Sequence, residues 1–196
     1  PEDIQELLFR KIKELLPEVA AAMAGPGPYK KLASLAAQVK TGHGLGGVLK
    51  QLRAKAESKD AEEAAEAKMM LEALGGSAQA QLDRAVGIKE SDPVDAIARL
   101  DKIALQFTGD DIGTKAKTEA DTLRKDPKVR KEMDASAVFA QIEKAYEGLK
   151  PFQGQKNPKA DGFRKVNLAA IQQIVGGCQM IVQRYPETQV AKKAQE

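Results

Sequence analysis

The chain has 196 residues, which is long enough to bury a core without disulfides or metals. Of these residues 42% are hydrophobic and 4% aromatic, a composition that is not typical of a disordered chain. Its net charge of +3 comes from interleaved acidic and basic residues, which favours a solvated mixed-charge surface over nucleic-acid binding through the lysine-rich residues 115–131. Cys178 is the one cysteine, which excludes an intrachain disulfide and a Cys-x-x-Cys pair, and no apolar run reaches the length of a membrane span.

Helical patterns follow one another through the first half of the chain. Acidic residues and then apolar residues at three-to-four spacing open the sequence. Pro17 predicts a kink or a break, and the Gly-Pro-Gly-Pro stretch at residues 25–28 predicts a turn. The glycine-rich residues 41–44 predict another turn, and we expect Gly75 and Gly76 to end a helix. We predict helices at residues 4–16, 29–39, 45–56, 60–74 and 77–86. Because the chain begins directly at a helix start, we expect it to be a fragment of a longer protein.

The second half continues in the same way. Asp92 and Asp126 are each followed by proline, a pattern that opens helices, and residues 150–162 form a polar loop that contains proline and glycine. We predict helices at residues 93–107, 112–123, 127–149, 163–184 and 190–195. The residues expected on the buried side of the third of these are Val129, Met133, Ala137, Phe139, Ile142, Tyr146 and Leu149. Strand patterns are missing, so the predicted fold is all-α: antiparallel helical hairpins stacked in a tetratricopeptide-like array, or an irregular helical bundle. We place one set of hairpins at residues 1–90 and a second at 91–196, with a single continuous domain as the alternative.

A repeated hairpin pattern supports the array. The apolar helix that ends at Phe107 and the one that ends at Tyr185 have identical offsets: each is followed by four polar or turn residues, then by a branched apolar residue, Ile112 or Val190. Residues 40–46 resemble residues 107–113 more weakly, 67 residues earlier, which is close to two hairpins of about 34 residues each.

Two stretches resemble known proteins. Residues 184–194, Arg-Tyr-Pro-Glu-Thr-Gln-Val-Ala-Lys-Lys-Ala, resemble the hairpin turn of tetratricopeptide-like envelope lipoproteins. Residues 92–109 resemble the helical segment that accompanies secreted thioredoxin-like proteins of the planctomycete kind. The resemblance implies a periplasmic or cell-envelope location and an interaction role, with a cytoplasmic location as the alternative. No redox activity is implied, because the Cys-x-x-Cys motif is absent.

Several residue types that form catalytic or ligand-binding sites in other proteins occur in this sequence. Here their positions are better explained by roles in turns and in packing. His43 is the only histidine and lies in a predicted turn without a nearby cysteine or carboxylate pair, so a base or metal-ligand role is not favoured. The glycines at residues 42–47 follow a helix rather than a strand, which favours a turn and close helix packing over a phosphate-binding loop. Cys178 falls on the apolar stripe of its helix and is predicted to be a buried small hydrophobe, with a reactive thiol or an interchain disulfide as the alternatives.

The acidic and methionine pairs are interpreted in the same manner. Asp110-Asp111 lacks the regularly spaced oxygen ligands of a calcium loop, so we expect it, like Glu62-Glu63, to cap a helix. Met69-Met70 is predicted to fill the core rather than line a binding groove. We therefore predict no catalytic, cofactor-binding or metal-binding residues.

Helical arrays without a convergent polar site commonly bind peptides or proteins on a concave surface. The leading hypothesis is a non-catalytic interaction or scaffold module of a bacterial envelope protein, monomeric or weakly homo-oligomeric, with the turns and first helices as the contact zone. The alternative is a helical appendage of a thioredoxin-like redox protein whose catalytic domain lies outside this chain.

Overall fold

The computed structural model describes residues 29–195. Within that range the chain forms nine helices and no β-strand, which confirms the all-α prediction. The helices are α1 (Ala33–Thr41), α2 (Leu45–Lys55), α3 (Ala61–Gly87), α4 (Pro93–Gln106), α5 (Asp111–Lys125), α6 (Pro127–Glu147), α7 (Asp161–Val166), α8 (Leu168–Arg184) and α9 (Gln189–Gln195). The predicted helix at residues 4–16, the kink at Pro17 and the turn at residues 25–28 lie outside the described residues. In the described part of the chain, no helix is long and apolar enough to cross a membrane.

The chain divides into two compact units, the first ending at Thr122 and the second beginning at Leu123. This boundary lies in the last turns of α5, whereas the sequence pattern places one between residues 90 and 91. The difference has a packing reason: α3 and α4, which flank residue 90, pack against each other within the first unit.

In the first unit, helices that follow one another in the chain also pack together: α1 with α2, α2 with α3, and α3 with α4. Asp60 begins α3 by accepting hydrogen bonds from the amides of Glu62 and Glu63, at 3.0 and 3.2 Å. Asp92 begins α4 by accepting from the amide of Asp95 at 3.0 Å. Both contacts satisfy amides that have no partner inside the helix.

The prediction that Gly75 and Gly76 end a helix is wrong, because α3 runs without a break from Ala61 to Gly87. Glycine in a helix costs about 1 kcal/mol relative to alanine, but tertiary burial outweighs this cost. One buried stripe continues across the glycines at helical spacing: Ala67, Met70, Leu74, Ala78, Leu82 and Ala85.

The start of α1 also differs from the prediction. The helix begins at Ala33 rather than at residue 29. The backbone amides of Lys30, Lys31 and Leu32 donate instead to the carboxylate of Glu66 on α3, at 2.8, 3.0 and 2.9 Å. A distant acidic side chain therefore determines where α1 begins.

The second unit is built around α6, α8 and α9, which pack against one another. Its core consists of Ala135, Ile142, Ile181, Tyr185, Val190 and Ala191, with Val138, Phe139, Ile174, Cys178 and Ala194 partly buried against it. Two residues that were expected on the buried side of α6, Ala137 and Tyr146, are exposed; Tyr146 retains 60% of its accessible surface. The core uses Ala135 and Val138 instead, so the buried face of α6 is turned relative to the predicted one.

The long helix predicted at residues 163–184 is interrupted at Asn167, which separates α7 from α8. The side-chain amide of Asn167 accepts from the backbone N–H of Lys150 at 2.8 Å and donates to the Lys150 carbonyl at 2.9 Å. It also donates to the Phe163 carbonyl at 3.0 Å. Asn167 thereby ties the preceding loop to the helix break, a long-range contact that local periodicity does not encode.

Candidate protein-binding surface

The two hairpin turns identified in the sequence have the same internal hydrogen bonds. The carbonyl of Phe107 accepts from the amide of Asp110, and the carbonyl of Tyr185 accepts from the amide of Thr188, both at 3.0 Å. Asp110 and Thr188 are both buried, and each caps the helix that follows through its side-chain oxygen. The Asp110 carboxylate accepts from the Ile112 amide, and the Thr188 hydroxyl accepts from the Ala191 amide, both at 3.1 Å.

Sequence reasoning missed the ionic partner of Asp110. Arg53, on α2, forms a short ion pair with the Asp110 carboxylate, and this hydrogen bond raises the pKa of Arg53. The Asp110 side chain has no exposed surface, so the pair neutralises a buried carboxylate. Asp110 therefore caps a helix, as predicted, and also connects α2 to the turn before α5.

Glutamates also cap helices across the sequence. Glu66 binds the three amides that precede α1, and Glu132 on α6 accepts from the amides of Gln189 and Val190 at 2.9 and 3.0 Å. Burial raises the pKa of Glu66, but the three backbone donors outweigh this effect and hold the pKa below its usual value. Both carboxylates lie at the amino-terminal end of a helix, which favours negative charge.

The glycine-rich segment at residues 42–47 is a turn followed by close packing. Gly42 and Gly44 have φ of 69° and 65°, a backbone region that side chains disfavour. Gly46 lies directly against the Phe107–Thr108 peptide, where an added Cβ would meet the Phe107 carbonyl carbon at 2.8 Å. Gly113 contacts the same carbonyl from α5. The glycines thus allow two helices to approach one peptide group.

The remaining candidates lie apart from one another. His43 is exposed in its turn, and its amide donates to the Thr41 hydroxyl at 3.4 Å. Cys178 packs against the core of the second unit but is half-buried rather than buried as predicted. Met70 is fully buried, whereas its neighbour Met69 is 43% exposed, so only one of the pair fills the core. Across residues 29–195, no group of three His, Cys, Asp or Glu side chains is placed to share a metal ion.

An uncharged helical surface is the feature that sequence reasoning overlooked. From Val166 to Gln183 the chain has no charged residue, the longest such run in the sequence. In spite of this, Ile181 is the only fully buried residue of α8. Leu168, Val175 and Met180 are 56%, 49% and 42% exposed. The signal is present in the sequence as a run without charge, but the run alone does not indicate which side of the helix stays exposed.

A groove lies between α6 and α8, beside this surface. Its volume is about 270 Å³, and none of its lining residues is charged. We call it the neutral groove; it is lined by Val138, Gln141, Ile142 and Ala145 of α6 and by Gln173, Ile174, Gly176, Gly177 and Met180 of α8. The helices approach closely at its base, where a Cβ on Gly177 would meet the tip of Ile142 at 2.8 Å.

The exposed large apolar side chains are concentrated in the second unit, which also holds the neutral groove. Among the described residues, eight large hydrophobic side chains are exposed, and six of them belong to this unit. The six are Tyr146, Phe152, Val166, Leu168, Val175 and Met180. Single exposed apolar residues are normal, but their excess in the unit that also holds the neutral groove makes this unit the candidate for a binding site.

Comparison with known proteins gives no assignment: no family model matches the chain, and no curated protein or solved structure is significantly similar to it.

Proposed function

We propose that this chain is a non-catalytic helical-repeat module that binds or scaffolds other proteins in the bacterial cell envelope. The neutral groove is the observation that carries the proposal. A groove with apolar walls and neutral polar rims suits a helix or peptide that inserts apolar side chains and binds amide groups at the edge.

The chemistry of the groove favours a protein ligand over a small charged one. Gln141 and Gln173 supply amide donors and acceptors, while Val138, Ile142 and Ile174 supply apolar contacts. A site for a phosphorylated or carboxylated ligand would need cations or oriented amides, and the lining of the groove contains no charged residue.

The envelope location and the tetratricopeptide-like character of the module are proposed from the resemblance of residues 184–194 and 92–109 to envelope proteins. The equivalent hydrogen bonding of the turns at Phe107 and Tyr185 supports a repeated turn between consecutive helices.

Site-specific photo-crosslinking tests the proposal. A benzoylphenylalanine placed at Met180, at the edge of the groove, is irradiated in an envelope extract and should give adducts that mass spectrometry identifies as this chain joined to a different protein. Leu105 is the matched control, because it is an exposed apolar residue of the first unit. If Met180 gives no more adducts than Leu105 with the protein verified as folded, the proposal is overturned.

A further inference from the structure

The partner of the neutral groove can be inferred from charge. Placing a charged side chain against an uncharged apolar surface removes its hydration without supplying a counter-charge, which is costly. The groove therefore selects a partner helix with an uncharged face. The run from Val166 to Gln183 gives α8 such a face, and its apolar side chains remain partly exposed.

We propose that the neutral groove is occupied by α8 of a second copy of this chain, forming a two-fold symmetric dimer. The inference rests on the proposed function, in that it takes the groove to be a protein-binding surface. It commits to a self-complementary partner, whereas the proposed function leaves the partner open.

The first hairpin shows that the fold does not require neutrality at these positions. When the two hairpin patterns are aligned with Tyr185 on Phe107, α8 falls on α4. In this alignment Gln173 corresponds to Asp95, Gly177 to Arg99 and Met180 to Lys102. In the first hairpin, Asp95 and Arg99 form an ion pair at 2.8 Å on the surface of α4. Gly177 is kept small by its contact with Ile142, but Gln173 and Met180 are exposed, and their counterparts Asp95 and Lys102 are charged. The absence of charge at these two positions of α8 therefore calls for an explanation other than folding.

The arrangement of residues on α8 suits a two-fold axis. Gly176 is the midpoint of Leu168–Arg184, is exposed, and has open space where a Cβ would lie. Two antiparallel α8 helices that cross there place Gly176 opposite its copy and Gln173 opposite Gln179. A glutamine amide has both donors and acceptors, so it can pair with another glutamine. The same surface therefore complements itself, as a symmetric dimer interface requires.

The expected dimer is weak. One helix pair and the adjoining groove edges offer an interface at the lower end of the specific range, which begins at about 1,000 Å² of total buried area. We expect self-association in the micromolar range, dependent on concentration and, because the surface is uncharged, insensitive to salt.

Sedimentation velocity of the full chain over a concentration series tests the inference. Gly176→Glu should weaken self-association by roughly a hundredfold, because it juxtaposes like charges at the axis. Gly76→Glu is the matched control: Gly76 is also exposed, lies inside a helix, and has open space around its Cβ position. Since glutamate is the better helix former, neither change should lower the melting temperature of the monomer. A wild-type chain that stays monomeric at all concentrations, or a Gly176→Glu variant that associates like wild type, overturns the inference.

Disulfide trapping gives a second measurement. In a Cys178→Ala background, Gly176→Cys should form a covalent dimer on mild oxidation, since a two-fold axis at residue 176 brings the two Cα atoms within about 7 Å. Gly76→Cys in the same background should not. Failure of the Gly176→Cys protein to crosslink beyond this control counts against the two-fold arrangement.

The outcomes separate the two proposals. A purified chain that is monomeric, but gives heavier adducts from Met180 in an extract, refutes the dimer and supports the groove as a site for another protein. A dimer broken by Gly176→Glu, without adducts to other proteins, supports the inference and refutes binding of a different partner. A groove filled by residues 1–28 of the same chain would leave the protein monomeric and would also overturn the inference.

Discussion

Replacing Gly46 with alanine perturbs the contact on which the packing of the first unit depends. The new methyl group would lie 2.8 Å from the Phe107 carbonyl carbon and closer still to the Thr108 carbonyl oxygen. These are backbone atoms, which cannot move aside by a rotamer change. Phe107 is itself fully buried and its carbonyl is also contacted by Gly113, so α2 must shift away from the turn.

The magnitude follows from two opposing effects. Overpacking of a well-packed site costs about 1–3 kcal/mol, and a backbone contact on a buried turn belongs at the upper end. Alanine in place of glycine inside a helix returns about 1 kcal/mol. We therefore expect Gly46→Ala to lower the free energy of unfolding by about 2 kcal/mol. Gly47→Ala, one residue further along α2, gains the same helix preference without a clash, because nothing lies within 4 Å of its Cβ position.

Urea denaturation followed by circular dichroism at 222 nm measures both variants under identical conditions. The predicted difference between them is about 3 kcal/mol, with Gly46→Ala below wild type and Gly47→Ala slightly above it. Unchanged m-values would show that the difference resides in the native state. If the two variants prove equally stable, the close approach of Gly46 to the Phe107–Thr108 peptide is not a constraint on the fold and the reasoning is refuted.

Three further predictions concern side chains that form hydrogen bonds with the backbone at helix ends and loops. Asn167→Leu should cost about 2 kcal/mol, because the backbone groups of Lys150 lose their partner; thermal unfolding measures this, and an unchanged melting temperature would contradict it. Since the pKa of Glu66 lies below its usual value, its bonds to residues 30–32 stabilise the fold fully above about pH 4.3 and fail as the pH drops further. After division by the intrinsic exchange rate at each pH, the protection factors of those amides should fall in acid, and Glu66→Gln should remove that pH dependence; protection that is flat in the wild-type chain would refute it. Thr188→Ala should cost about 1 kcal/mol through loss of its cap to α9, whereas an equal stability by urea denaturation would show that the cap is dispensable.

Local sequence signals predicted the helix starts best. Asp60, Asp92 and Asp126 each cap a helix, because their side chains bond to amides two or three residues away. The same locality explains the turns after Phe107 and Tyr185, whose hydrogen bonds stay within a few residues. Such features depend on neighbours in the chain, so a sequence pattern is sufficient to predict them.

The errors arise where distant residues compete with local preference. Gly75 and Gly76 signal a helix end locally, but the apolar stripe of α3 buries residues on both sides of them. Asn167 interrupts a continuous apolar pattern because it binds Lys150, seventeen residues earlier. The beginning of α1 depends on Glu66, more than thirty residues away. None of these partners can be identified from spacing alone.

The sequence indicates the uncharged character of the candidate site but not its exposure. The run without charge from Val166 to Gln183 can be seen in the sequence, but its exposure depends on which helices cover it. α6 and α9 pack against α8 and leave Met180 and the groove beside Gly177 partly open. Periodicity predicted an apolar helix correctly, but it could not indicate that an uncharged side would remain at the surface.

A comparison of the two hairpins indicates where selective binding can reside. Their turns use the same bonds, and the capping groups Asp110 and Thr188 are both buried and occupied by the amides they cap. Side chains committed to internal bonds in this way are poor contacts for a partner, which argues against the turns as the binding zone. The hairpins diverge instead on their first helices, where α4 carries the Asp95–Arg99 ion pair and α8 carries no charge before Arg184. Because the fold accommodates both surfaces, the neutral surface of α8 is the part of the chain that we expect to distinguish one partner from another.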